Sequence, residues 1–169
     1  GGIRVMKSYR YLSMSMAFAL ISSALLASNV KSQECTDVWK NEQEGYELVL
    51  KNCSRSDTEV SCHMLVTSKG ENREMTIRSR GTRIIGDFGK EYHISSIKSE
   101  IHVVKKRSDL KRMFFSDKPT SIVLSFTGVP NEVNKIAVFY INVRDETGGA
   151  NHPFEIPDIP FCNNQNSAE

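Results

Sequence analysis

Four cysteines are the residues of this chain whose type and spacing point most directly to a chemistry. They stand at positions 35, 53, 62 and 162 of the 169 residues. An even number of cysteines in an oxidising compartment indicates disulfides, with three pairings possible. Cys53 and Cys62 flank a polar turn between two strand-like runs, which favours a bridge across a hairpin. Cys35 and Cys162 would then form a second bridge near the two ends of the domain.

The alternative use of these thiols is a metal site that combines Cys62 and His63 with two other cysteines. The sequence has no Cys-x-x-Cys pair, and export favours oxidised cysteines, so we prefer the disulfides. The four histidines are spread along the chain, at His63, His93, His102 and His152. No serine-hydrolase elbow, phosphate-binding loop or zinc-protease motif is present. The sequence therefore predicts no catalytic residue, no metal and no cofactor.

The segment 6–33 has the pattern of a secretory signal. A basic start between Met6 and Arg10 precedes an apolar segment over 12–27, and a polar run follows. This apolar segment is interrupted by serines and is shorter than the roughly 20 apolar residues of a membrane-spanning helix. We therefore expect cleavage, no membrane insertion afterwards, and a secreted or periplasmic protein, with an uncleaved anchor as the alternative. Residues 1–5 are interpreted as an upstream remnant.

Removal of this leader changes the net charge. Residues 1–33 hold four of the 22 basic residues and none of the 20 acidic ones, which leaves 18 basic against 20 acidic residues. A slightly negative domain gives no global electrostatic reason to bind nucleic acid or an anionic membrane. Basic residues still outnumber acidic ones over 98–112. This segment is interpreted as a docking patch for an acidic partner or as an ordinary solvated face.

The candidate partner-binding residues belong to this basic segment and its aromatic end. They are Lys105, Lys106, Arg107, Lys111, Arg112 and Phe114. Adjacent cationic and aromatic groups suit contact with a protein or a glycan. The alternative for Phe114 is burial in the core, where bulky aromatic side chains usually lie.

The mature chain alternates apolar and polar residues with a period of two far more often than it shows a helical stripe. The pattern predicts seven or eight short antiparallel strands, and a small helical turn over 108–115 is the one expected exception. Prolines at 153, 157 and 160 restrict the last segment to a sheet edge or an extended strap. We therefore expect one all-β sandwich over 34–162 and a flexible tail at 163–169.

Several strand and turn motifs occur in a particular order. They are Asn52–Ser56, Val60–Cys62, Leu65–Ser68, Asp87–Tyr92, Ser125–Pro130 and Phe154–Pro160. This succession resembles uncharacterised exported bacterial domains that are similar in layout to the immunoprotective extracellular protein family. The resemblance covers roughly residues 46–161 and implies an immunoglobulin-like antiparallel β-sandwich of seven or eight strands. The Asp87-Phe88-Gly89 turn is one residue shorter than the corresponding family element, and the resemblance brings no catalytic residues.

These observations predict an exported, non-catalytic and monomeric module that binds a protein or glycan partner of unknown identity at the cell surface or in the periplasm. Two alternatives stay open. One is an enzyme or metal-dependent protein whose site is assembled from dispersed histidines and carboxylates. The other is a structural subunit of a surface assembly.

Overall fold

A computed structural model describes residues 39–43 and 45–162, and its regular structure over those ranges is entirely β-strand. The strands, in chain order, are β1 (Trp39–Gln43), β2 (Tyr46–Ser56), β3 (Glu59–Ser68), β4 (Arg73–Ile77), β5 (Arg83–Gly86), β6 (Glu91–Ser99), β7 (Val103–Lys105), β8 (Leu110–Phe114), β9 (Thr120–Thr127), β10 (Lys135–Asp145) and β11 (Asn151–Cys162). The predictions for the upstream remnant, the signal, Cys35 and the tail lie outside the described residues.

Seven of these strands close into a barrel, in the order β2, β3, β9, β6, β5, β10 and β11. The last strand closes the ring because β11 pairs antiparallel with β10 and then parallel with β2, where Phe161 lies opposite Cys53. The other four strands lie outside the ring, with β1 on β2, β4 on β10, β8 on β4 and β7 on β6. The all-β class is confirmed, but the predicted immunoglobulin-like sandwich of seven or eight strands is wrong.

The physical reason for this error is that a strand in a sandwich and a strand in a small barrel have the same pattern. Both bury alternate side chains, so periodicity does not distinguish them. The closure depends on Phe161 and Cys162 pairing with Cys53 and Ser54, which are far away in the sequence. The three prolines of β11 all come before Phe161, in the part of the strand that pairs with β10. Proline has no backbone N–H, so this part of β11 is poorly suited to pair with a strand on its other side as well.

The barrel interior is filled by its own apolar side chains. Leu50, Met64 and Leu124 are fully buried on neighbouring strands β2, β3 and β9. Phe126 packs edge-to-face against Phe139, with 5.6 Å between the ring centroids. Because burial of apolar surface contributes about 25 cal/mol per Å², this interior is the main stabilising element of the fold.

The predicted bridge between Cys53 and Cys62 is confirmed. The two residues lie directly opposite each other on β2 and β3, both are fully buried, and the S–S distance is 2.04 Å. Cys162 is also disulfide-bonded. Its predicted partner, Cys35, lies outside the described residues, so the second pairing stays a prediction.

The predicted helical turn over 108–115 is wrong, because Leu110–Phe114 form strand β8. Leu110 and Phe114 are buried, whereas Lys111 and Met113 are exposed. A spacing of four residues suits one face of a helix, but it also fits the same side of a strand. Strand β4 decides the outcome, because it supplies a complete antiparallel ladder from Ile77 to Arg73.

Candidate anion-binding cleft

A cleft of about 730 Å³ lies on the barrel wall where β6 changes its partner. Strand β5 pairs with residues 91–93 of β6, and β7 pairs with residues 96–98. His93 and Ile94 contribute to the cleft from β6, the β4–β5 loop contributes residues 78–81, and the β7–β8 turn contributes Lys106, Arg107 and Asp109. The cleft is therefore built from three segments that are distant in the sequence.

The charged residues that line the cleft are mostly basic. Arg78, Arg80, Lys106 and Arg107 carry positive charge at neutral pH, and Asp109 is the single carboxylate among the lining residues that the structure describes. Four positive charges against one negative charge leave an excess of three. Arg80, Lys106 and Arg107 are exposed and form no ion pair with any residue in the described part of the chain. These three cations are available to an anion from solution.

The β4–β5 loop is held rigidly against β10. The Arg78 N–H donates to the Asn142 carbonyl over 2.9 Å, and the Asn142 N–H donates to the Thr82 hydroxyl over 3.2 Å. The same hydroxyl, which is fully buried, donates to the Arg78 carbonyl over 2.6 Å. Gly81 has a φ of +92°, and a Cβ at that position would lie 3.1 Å from Asn142 Nδ2. This compact loop fixes the backbone that carries Arg78 and Arg80.

Asp109 joins the two loops of the cleft. Its Oδ1 accepts hydrogen bonds from the Ser79 N–H over 2.8 Å and from the Ser79 hydroxyl over 3.1 Å. Ser79 is buried and Asp109 is exposed, so these bonds lie at the boundary between the loop interior and the solvent. The Arg78 Nε lies 3.9 Å from the other carboxylate oxygen, Oδ2. This clasp ties the end of the β7–β8 turn to the β4–β5 loop.

Arg107 adopts a backbone conformation that its side chain does not favour. Its φ is +72°, and the Ser108 N–H donates to the Lys105 carbonyl over 3.0 Å, so Arg107 is the third residue of a tight turn. Glycine or asparagine is preferred at a left-handed position in a turn, and other residues lose roughly 1–2 kcal/mol there. The turn itself gives no reason for an arginine, which makes a functional role in the cleft the natural hypothesis.

Two of the predicted partner-binding residues, Lys106 and Arg107, line the cleft, and Lys105 is exposed next to them at the end of β7. The sequence reasoning missed the β4–β5 loop, although Arg78-Ser79-Arg80 is a basic turn signal. Nothing local in the sequence brings this loop to the β7–β8 turn, because the Ser79–Asp109 contact spans thirty residues.

The other three predicted residues lie on β8, outside the cleft lining. Lys111 Nζ lies 3.0 Å from a Glu74 carboxylate oxygen, and the Arg112 guanidinium lies 5.5 Å from the centroid of the Phe114 ring. Phe114 is fully buried, so the alternative that it belongs to the core is confirmed. Its side chain is therefore not available to a partner. The exposed aromatic group at this end of β8 is Phe115, at 52%.

The four histidines have four different environments. His93 lines the cleft, His63 Nε2 lies 2.7 Å from the Ser121 hydroxyl, and the buried His152 ring packs against the Tyr46 ring. His102 is exposed in the β6–β7 turn. Among the described residues, no group of three or more histidine, cysteine or acidic side chains is arranged to hold a metal ion.

Comparisons with protein families and with curated proteins found no match. The resemblance to the immunoprotective extracellular protein family therefore depends on its strand and turn motifs alone. Over residues 39–43 and 45–162 there is no helix with the length and apolar character needed to cross a membrane.

Proposed function

We propose that this protein is a non-catalytic binding module of the cell surface or periplasm, and that it captures an anionic ligand in the basic cleft. One observation carries this proposal. Arg80, Lys106 and Arg107 come from two loops, line one cleft, and have no ion-pair partner in the described part of the chain. An anion that enters the cleft gains their attraction without breaking an existing ion pair, and such a field also speeds its association.

The exported location is part of the same proposal. The Cys53–Cys62 disulfide is compatible with an extracellular location, because disulfides persist in oxidising compartments and are rare in the cytosol. The leader-like pattern over residues 6–33 supports it independently. The proposal keeps the monomer expected from the sequence, and the proposed cleft is built within one chain.

An enzyme is the second candidate, because the cleft contains both His93 and Asp109. The contacts favour binding over catalysis. Asp109 Oδ1 accepts both bonds from Ser79, and the Ser79 hydroxyl donates to that carboxylate rather than to an imidazole. A catalytic serine needs a base that takes its proton, usually a histidine in hydrogen-bond contact. The Ser79–Asp109 pair therefore acts as a structural clasp.

A structural subunit would use a free strand edge. Strand β8 pairs with β4 and leaves Met113 and Phe115 exposed, at 43% and 52%. Lys111 and Arg112 lie in the same strand, and charged side chains on an edge strand oppose the addition of another strand. We therefore rank this role below binding at the cleft.

The test is a comparison of two double variants with the same change of charge. R80Q/K106Q removes two cations of the cleft, whereas K90Q/K118Q removes two exposed lysines that do not line it. The probes are a sulfated heparin-type hexasaccharide and a glutamate peptide of equal charge, with binding measured by titration calorimetry. We expect at least one probe to bind, R80Q/K106Q to weaken its binding about tenfold or more, and K90Q/K118Q to change it less than about twofold.

Equal losses in the two variants would mean that net charge, and not the cleft, attracts the probes, and the proposal would then be wrong. The proposal would also be wrong if neither of the two probes binds. A hydrolytic activity that is lost in His93→Ala, with probe binding retained, would favour the enzyme instead.

A further inference from the structure

The size of the cleft sets the first limit on its ligand. A volume of about 730 Å³ is typical of a site for an organic molecule of several rings. A single inorganic ion would contact a small part of this lining. The available cations Arg80, Lys106 and Arg107 come from two separate loops, which suits a ligand with more than one negative group.

The lining combines hydrogen-bond donors with an acceptor. The cationic side chains only donate, whereas Asp109 only accepts, and its side chain is 39% exposed. Its Oδ1 is occupied by Ser79, and Oδ2 has only the Arg78 Nε, 3.9 Å away. A carboxylate among cations repels a uniformly acidic chain, but it accepts hydrogen bonds from hydroxyl groups. Sugar rings supply those hydroxyls next to their charged substituents.

The lining is poorly suited to peptides and nucleic acids. Within the described part of the chain, Ile94 is the only large apolar residue that lines the cleft, and it is 2% exposed, so these residues offer a bound peptide no apolar pocket for an anchoring side chain. His93 is the only aromatic residue in the described lining, whereas single-stranded nucleic acids are usually bound on several stacking platforms. The groups that this lining offers to a ligand are therefore mainly ion-pair and hydrogen-bond partners.

We infer that the ligand of the cleft is an anionic oligosaccharide, a glycan segment that carries sulfate or carboxylate groups. This inference rests on the proposed anion-binding function and narrows it to one ligand class. Neutral sugars are expected not to bind, because the lining offers them hydrogen bonds without ion pairs or a broad aromatic surface. Binding is expected to weaken as salt increases, with a log–log slope of about −2 to −3 for three cations.

The experiment titrates the intact protein with four probes. They are a sulfated heparin-type hexasaccharide, a hyaluronan hexasaccharide that carries carboxylates only, a glutamate peptide of equal charge to the first, and neutral maltohexaose. We expect at least one anionic hexasaccharide to bind about tenfold or more tightly than the peptide, and maltohexaose to show no binding. R80Q/K106Q should lose about tenfold or more of the glycan affinity, whereas K90Q/K118Q should retain it.

Asp109→Asn tests the role given to the carboxylate. Asparagine keeps an oxygen that accepts from Ser79 but removes the negative charge that repels an acidic peptide. Loss of this charge relieves the repulsion of both probes, which carry equal charge, but it also removes the charged acceptor for the hydroxyl groups of the hexasaccharide. We therefore expect the preference for the glycan to shrink about threefold or more. An unchanged preference would remove this part of the argument and overturn the assignment of Asp109 as the selective group.

The outcomes separate the two proposals. Binding of both anionic hexasaccharides, or of the sulfated one alone, supports the inference and identifies the charged group that suffices. Tighter binding of the glutamate peptide, with the same loss in R80Q/K106Q, overturns the glycan inference but leaves the anion-binding function in place. Wild-type binding by R80Q/K106Q, or no binding of any probe, overturns both.

Discussion

At the scale of single residues, Arg107 is a position that should lower the stability of the fold and raise the affinity for the ligand. Its positive φ costs the fold roughly 1–2 kcal/mol, because an L side chain clashes with the backbone in that region. The same residue lines the cleft as one of its available cations. A strained non-glycine residue in a candidate site is a reason to test function.

Arg107→Gly should stabilise the protein and weaken its binding of the ligand. Glycine relieves the strain, and part of that gain is offset by the greater freedom of the unfolded chain, so we expect up to about 1 kcal/mol of added stability in urea unfolding. We expect a loss of about fivefold in affinity for whichever anionic probe binds. Asp57→Gly is the matched control, because Asp57 also has a positive φ but does not line the cleft. A destabilised R107G protein with normal affinity would contradict the prediction.

Asp145 is a buried carboxylate whose protonation should affect stability. Burial alone would raise the pKa of this carboxyl. The Thr147 and Gly148 N–H groups and the Arg73 guanidinium outweigh the burial and hold the pKa below its ordinary value of 3.8. Arg73 Nη1 lies 3.0 Å from Oδ2. A group with a lowered folded pKa stabilises the fold above its unfolded pKa, and the contribution is lost as the pH falls through the folded pKa.

Asp145→Asn should therefore lower the free energy of unfolding at neutral pH. It should also make this free energy depend less on pH in the acid range. We expect a loss of about 1–3 kcal/mol near neutrality, because Arg73 loses one of its two charged partners and keeps Glu71, whose Oε1 lies 2.6 Å from Arg73 Nη2. The difference from wild type should shrink below about pH 4. Urea unfolding across the pH range measures both effects, and Asp158→Asn serves as an exposed control. A constant difference at every pH would show that packing, and not ionisation, explains the loss.

At the scale of secondary-structure elements, the cleft depends on how two loops are attached to each other. The β4–β5 loop is fixed to β10, whereas the β7–β8 turn is fixed to that loop through Asp109 and Ser79. The sequence predicted the basic turn residues Lys106 and Arg107 but not the opposing loop. Its strand signals describe each element separately, and the contact between the loops has no local pattern.

Asp109→Ala should release the β7–β8 turn. The clasp would lose both hydrogen bonds from Ser79, so we expect faster amide exchange over residues 105–109. Relative to Asp109→Asn, which removes the same charge, we expect about threefold weaker binding of the anionic probe. Asp109→Asn keeps an acceptor for Ser79 and should retain slow exchange. Because both variants remove the same charge, a change in exchange that is equal in the two would contradict the role of the clasp.

At the scale of the whole molecule, the short seam between β11 and β2 makes the sheet a barrel. Phe161 lies opposite Cys53, and the Arg55 guanidinium lies 4.4 Å from the centroid of its ring. Arg55 Nη1 also donates to the Asn131 carbonyl over 2.7 Å, which ties the β9–β10 loop to the same place. Few residues therefore carry the closure.

Phe161→Ala should weaken this closure. A half-buried aromatic ring and its cation–π contact would be lost, for which we expect about 2 kcal/mol in urea unfolding. Phe88→Ala is the control, because Phe88 is 72% exposed and should change stability by less than about 0.5 kcal/mol. Equal effects of the two substitutions would mean that Phe161 contributes little to the barrel.

The sequence by itself determined the all-β class, the Cys53–Cys62 bridge and the basic segment that supplies Lys106 and Arg107. These features depend on alternation and on short spacings, which the chain carries locally. Only the tertiary structure decided that β11 closes a barrel, that residues 110–114 form a strand on β4, and that Arg80 shares a cleft with Lys106. Each of these depends on pairing or contact between segments far apart in the chain, and periodicity within one segment does not specify its partner.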